Sequence, residues 1–231
     1  MINDRKSNWL PTIDLHLISW DRVNEARKPK PEVLLADQYG RGNLLSEQQV
    51  LAVQLEQEAV IKVQLTEALT QRDNLHRELL ELVRSYNRYF ITMPKEIRVR
   101  LLVARTPSFS SGAGAVRRCV ETIQATWSTY AKHCEGTPEY TPFMLSGGQT
   151  LADMLLLNEN LSTVISTIRK LRQKLRKIQV EVRQLAIKGI YPRLIAYRRM
   201  VMYLYPVNHE LVVSLPRLHA TNPARKPVVE G

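Results

Sequence analysis

Apolar side chains recur along this chain at intervals of three and four, the spacing of one face of an α-helix. The longest series is Met154, Leu157, Leu161, Val164, Ile168, Leu171, Leu175, Ile178, Val182 and Leu185. It fills the a and d positions of successive heptads without a miss. The spacing therefore predicts one helix over about Gln149–Lys188, with these ten residues as a packing seam sealed against another helix. A second stretch, Ser46 to about Phe90, has neither Pro nor Gly, and a helix of that length spans roughly 65–70 Å at 1.5 Å per residue. Ile61, Leu65, Ala68, Leu75, Leu79, Leu82, Tyr86 and Tyr89 line one side of it, interrupted only by Arg72.

Shorter runs fill in the rest. Thr12 is a suitable cap for a helix to about Arg27 that carries Ile13, Leu17 and Trp20 on one face. Pro29 and Pro31 end it. Val116, Val120, Ile123, Trp127 and Tyr130 make one face of a helix ending near Gly136, and a short helix is expected around Glu96–Ala104. TPSFSSGAGA and Thr137–Pro142 read as loops, and Gly189 with Pro192 as an interruption after which Pro192 opens a fresh helix. No alternating strand pattern competes. The expected fold is all-α, an elongated bundle built on two long antiparallel helices. The chain divides on this reading into a first helical unit, 1–107, a linker loop and intervening helix, 108–142, and a second unit, 143–231. A shift of 100 places Leu45, Ser46, Gln49, Leu51, Ala52, Leu55, Arg72 and Leu75 on identical residues, which suggests two tandem helical repeats.

Composition changes this picture mainly through charge. The net charge is +11, and the segment from Thr163 to Tyr205 alone holds eleven basic residues against Glu181. Within the seam's heptads, Arg169, Lys170, Arg176, Lys177 and Arg183 fall on the outer edge, away from the a and d positions. Such a face either stays in solvent opposite acidic helices, such as the one bearing Glu56, Glu58, Glu67, Glu78 and Glu81, or meets a polyanion. There are two cysteines, Cys119 and Cys134, which on one helix lie about 22 Å apart, beyond disulfide reach. No stretch has the length and apolarity of a spanning helix, and the start MINDRKSNWLP lacks an apolar signal-like core; a cytoplasmic setting is expected.

Candidate chemistry is sparse. Residues 145–149 read LSGGQ, a string found in cassette ATPases, yet the chain has no G-x-x-x-x-G-K-[ST] phosphate loop to hold a triphosphate. The plainer reading is a capping box, Ser146 with Gln149 three residues on, echoed earlier by Ser46 and Gln49. His209-Glu210 starts like a zinc-protease motif, but Val213 stands where the second histidine belongs. The glycines at 40 and 42 and at 112 and 114 lack the third glycine of a dinucleotide loop. No catalytic, cofactor-binding or metal-binding residue is assigned, and neither a cofactor nor a small-molecule substrate is inferred.

The segments TEALTQRDNLHRELLELVRSYNRY and YPRLIAYRRMVMYLYPVNHELVVSLPRL resemble a group of uncharacterised bacterial helical proteins. In that group a helix with T-x-x-x-x-x-R-D precedes a basic helix and a tail with L-P-x-L; here the matching residues are Thr66 or Thr70 with Arg72-Asp73, and Leu215 to Leu218. The resemblance implies an all-helical fold and no chemistry. The sequence thus points to a non-enzymatic structural or assembly protein forming homo-oligomers through long helices. The alternative is a nucleic-acid-binding protein, or one that meets an acidic protein surface, using the basic face of residues 169–199.

Overall fold

The computed structural model describes residues 8–92, 95–98, 107, 112–134, 144–145 and 148–218, and they form an all-α protein. Among the described residues seven α-helices follow in order: α1 (Trp9–Ala26), α2 (Arg41–Thr92), α3 (Lys95–Arg98), α4 (Ala113–Cys134), α5 (Leu151–Arg183), α6 (Tyr191–Leu204) and α7 (Glu210–Val213). Residues 106 and 108–111 of the expected loop, the end of the helix expected at 96–104, the linker at 137–142 and the tail after 218 lie outside the described residues, and residues 113–115 of that loop belong to α4.

The helices begin elsewhere than their sequence signals suggest. α1 starts at Trp9, so Thr12 sits inside it and its hydroxyl donates back to the Asn8 carbonyl at 2.7 Å. Pro11 is tolerated because a first-turn residue has no backbone acceptor to donate to. α2 starts at Arg41 rather than Ser46. Gly40 N–H donates to Asn43 Oδ1 at 2.9 Å, which ties down the entry to the helix, and Ser46 Oγ merely bonds the Gly42 carbonyl one turn back. α5 starts at Leu151, capped by Thr150.

After Arg183 the helix does not break. Residues Gln184–Ile190 continue as a π-helical segment that runs into α6, and Tyr191 N–H bonds the Ala186 carbonyl five residues back. Pro192 has no N–H, and its ring would strike the carbonyl four residues earlier in an unbroken α-helix. The wider π turn accommodates both facts.

The residues group into two compact units that do not follow the division at 107 and 143. One unit combines Met1–Ile61 with Lys174–Gly231; the other is Lys62–Gln173. In the first, Trp9, Ile13, Leu17, Trp20 and Val23 of α1 share a core with Leu44 and Leu51 of α2, Val182 of α5, Ala186 and Ile190 of the π segment, and Leu194, Tyr197 and Val201 of α6. In the second, Val116, Val120, Ile123, Trp127 and Tyr130 of α4 pack with Leu79, Leu80, Val83, Tyr86 and Phe90 of α2 and with Met154 and Leu161 of α5. A small cluster joins Ala68 to Val164 and Ile168. Rising numbers on α2 thus meet falling numbers on α5 within this unit, which makes the two helices antiparallel there.

Full burial of each such aliphatic side chain is worth about 1.5–3 kcal/mol, so these stripes supply the main driving force of the fold. The offset of 100 finds no matching helix starts: α2 begins at Arg41 but α5 at Leu151, and Ser46 lies inside its helix.

Candidate functional site

The seam residues lie inward. Met154, Leu161, Val164, Ile168 and Val182 are buried, and Leu157, Leu171, Leu175, Ile178 and Leu185 are half-buried. The basic edge lies on the other side of the same helix. Arg169, Lys170, Arg176, Lys177 and Arg183 are all exposed. Among the described residues the one ion pair formed by these five is Lys177 to Glu181, at 3.9 Å.

Two basic residues further on are used internally. Arg193 pairs with Glu47, and its guanidinium lies 4.1 Å from the centre of the Tyr39 ring. Tyr39 donates its hydroxyl to the other Glu47 oxygen at 2.8 Å. Burial, the Glu47 hydrogen bond and the Glu47 charge together hold the Tyr39 phenol above its usual range. Arg198 donates to the Pro216 carbonyl and so ties α6 to the segment after α7. The basic run from 163 to 205 therefore includes an outward row on α5 and two ties from α6, while Lys188 and Arg199 are exposed.

The described parts of the LSGGQ string, Leu145 and Gly148–Gln149, are tied to each other ahead of α5. Leu145 N–H donates to the Gln149 carbonyl at 2.8 Å, Gly148 N–H donates to the Leu145 carbonyl at 3.0 Å, and Met144 bridges to Thr150. Gly148 has φ +80, the left-handed region that favours glycine. The capping box lies four residues later than the sequence suggested: Thr150 N–H and Oγ1 both bond Asp153 Oδ2 at 2.8 Å, and Asp153 N–H reaches Thr150 Oγ1 at 3.3 Å. These bonds hold the Asp153 carboxyl below its usual range. Ser146 is outside the described residues, and Gln149 is exposed.

The remaining motifs have structural duties where they are described. His209 Nδ1 accepts from Leu211 N–H at 3.2 Å and caps the four-residue α7. Gly40 belongs to the start of α2 and Gly114 to the first turn of α4. Cys119 is buried on α4, and burial raises its thiol pKa. No group of three His, Cys, Asp or Glu among the described residues is placed to hold a metal ion.

Two features lie outside the seam and the basic row. The first is a polar pocket inside the core of the first unit. His16 is 0% exposed and its Nδ1 lies 2.7 Å from the Thr12 carbonyl. A carbonyl only accepts, so Nδ1 carries the proton and Nε2 is a bare lone pair, buried without a hydrogen-bond partner. Tyr197 meets the His16 ring edge-on at 6.4 Å, stacks on Trp20 at 4.3 Å, and shares a 3.0 Å hydrogen bond with Ser19. Burial, with the Asp21 and Tyr205 charges, pushes the Tyr197 phenol up to about 12 against the opposing Ser19 hydrogen bond. The spacing of Ile13, His16, Leu17 and Trp20 does place His16 on the inward face of α1, and that was the available signal.

The second is an outward stripe on α2. Val50, Val53 and Val60 are 51%, 52% and 50% exposed. With Ser46 and Gln57 they continue a four-three spacing, about half a helical turn away from the buried Leu44 and Leu51. No charged residue occupies these five positions.

No helix among the described residues is long and apolar enough to cross a membrane. No protein-family model, curated protein or solved structure matches the chain.

Proposed function

We propose that this chain is a non-enzymatic helical assembly protein that self-associates through the outer face of α2. The carrying observation is the exposed row Val50, Val53 and Val60, set in heptad spacing with Ser46 and Gln57. A helix normally shows one apolar stripe; a second one, on the opposite side, needs a partner to leave water.

The chemistry of the row favours a second copy of the chain. The net charge of +11 opposes association, but none of it sits on the five positions of this row. Valine at the a and d positions is compatible with close helix pairing, and the Gln57 amide is both donor and acceptor, so it complements itself across a twofold axis. The alternative occupant, a foreign helix, gains nothing from that self-complementarity.

Size-exclusion chromatography with multi-angle light scattering tests the reading. The chain should elute as a defined multimer whose mass is stable on dilution. Replacing Val53→Lys together with Val60→Lys should return it to a monomer with unchanged helical circular dichroism. A parent chain that is monomeric at high concentration refutes the proposal.

A further inference from the structure

We infer that the outer face of α5 is a binding surface for the sugar–phosphate backbone of nucleic acid, engaged without regard to sequence. Arg169, Arg176 and Arg183 repeat every seven residues, so they form a row along the helix with steps of about 10.5 Å. Lys170 and Lys177 follow the same row one position round. All five are exposed on a helix of 33 residues, Leu151–Arg183.

Three observations select the partner. First, these charges are not spent within the chain: among the described residues only Lys177 has an acidic partner, and that pair is 3.9 Å apart with the lysine 79% exposed. Arg193, by contrast, is paired with Glu47 and stacked on Tyr39. Second, between Arg169 and Arg183 the face offers one exposed large apolar side chain, Val180. A helix lying in a membrane interface or an apolar protein groove needs an apolar face to bury, and the apolar face of α5 is already buried or half-buried within the chain. A polyelectrolyte needs only the charges, because release of its condensed counterions drives binding. Third, the buried seam prevents α5 from entering a groove as a free helix. The arginine forks therefore reach phosphates rather than base edges, which positions a strand without reading it.

Fluorescence anisotropy of a labelled mixed-sequence DNA duplex, titrated with the full chain, provides the test. Affinity should fall steeply and linearly on logarithmic axes between about 50 mM and about 200 mM salt. The combined change Arg169→Gln, Arg176→Gln and Arg183→Gln should weaken binding at least about tenfold and lower the salt slope by about 3, at roughly 0.9 for each phosphate that is no longer neutralised. The same three changed to Lys should keep most of both.

A control removes an equal charge elsewhere through Arg22→Gln, Lys30→Gln and Lys132→Gln, all at exposed positions, and should leave the slope near the parent's. Circular dichroism checks that each variant is folded. The inference is overturned if the parent fails to bind at low salt, if the Gln variant binds like the parent, or if the control loses as much. It is also overturned if phosphatidylcholine vesicles containing phosphatidylserine bind more tightly than the duplex, since the surface is then one for anionic lipid.

Discussion

His16 shows how one side chain ties stability to pH. Its Nδ1–H is committed to the Thr12 carbonyl and its Nε2 faces a closed, largely apolar interior. Charging it would bury a cation with no acceptor, and burial, with the nearby Arg198 charge, outweighs the Thr12 bond and lowers its pKa below 6.5. The folded protein therefore holds this proton less well than the unfolded chain does. Stability is complete above about pH 6.5 and declines as pH falls toward the lowered folded-state value. Urea unfolding followed between about pH 7.5 and about pH 5 should show that decline, and His16→Leu should remove it. Parallel curves for parent and variant would dismiss the role. The inward placement of His16 was legible in the spacing of α1. Its setting against Tyr197 was not, because periodicity says which side of a helix faces inward and never what it meets.

Whole helices were read more reliably than their ends. The three-four spacing of Met154 to Leu185 and of Ile61 to Tyr89 reflects the need to bury one side of a rod, and that need acts over many turns. A start depends on a few hydrogen bonds. The pattern Ser-x-x-Gln occurs at 46 and at 146, but the bonds are made by Gly40 with Asn43 and by Thr150 with Asp153. Removing the real cap should show in equilibrium unfolding: Thr150→Ala should cost about 1 kcal/mol, whereas Ser46→Ala, inside its helix, should change stability by only a few tenths. Equal effects of the two substitutions would contradict the assignment. The π segment before Pro192 was also hidden, since Gly and Pro look the same in sequence whether a helix stops or widens around them.

At the scale of the molecule, each unit has its own tryptophan reporters: Trp9 and Trp20 in one, Trp127 in the other. A chain ending at Gln173 lacks the α5, π and α6 residues that bury the first pair. In a Trp127→Phe background its fluorescence should shift to the red, as for tryptophan in water. With Trp127 retained and Trp9 and Trp20 changed to Phe, the emission should stay blue. An unshifted first spectrum would mean that α1 and the start of α2 hold together alone. This non-sequential grouping was not legible, because a linear reading assigns neighbours along the chain. The basic face was legible as charge; that among the described residues Lys177 alone of the five has an acidic partner was not.

The same grouping sets a schedule for synthesis. The tryptophans of α1 leave the ribosome before residues beyond Lys174 exist to cover them. At about 5–20 residues per second the wait is on the order of ten seconds. Throughout it a nascent chain leaves Ile13, Leu17, Trp20 and Val23 without the α5, π and α6 residues that share their core, so this apolar face stays wet until the later segment is made.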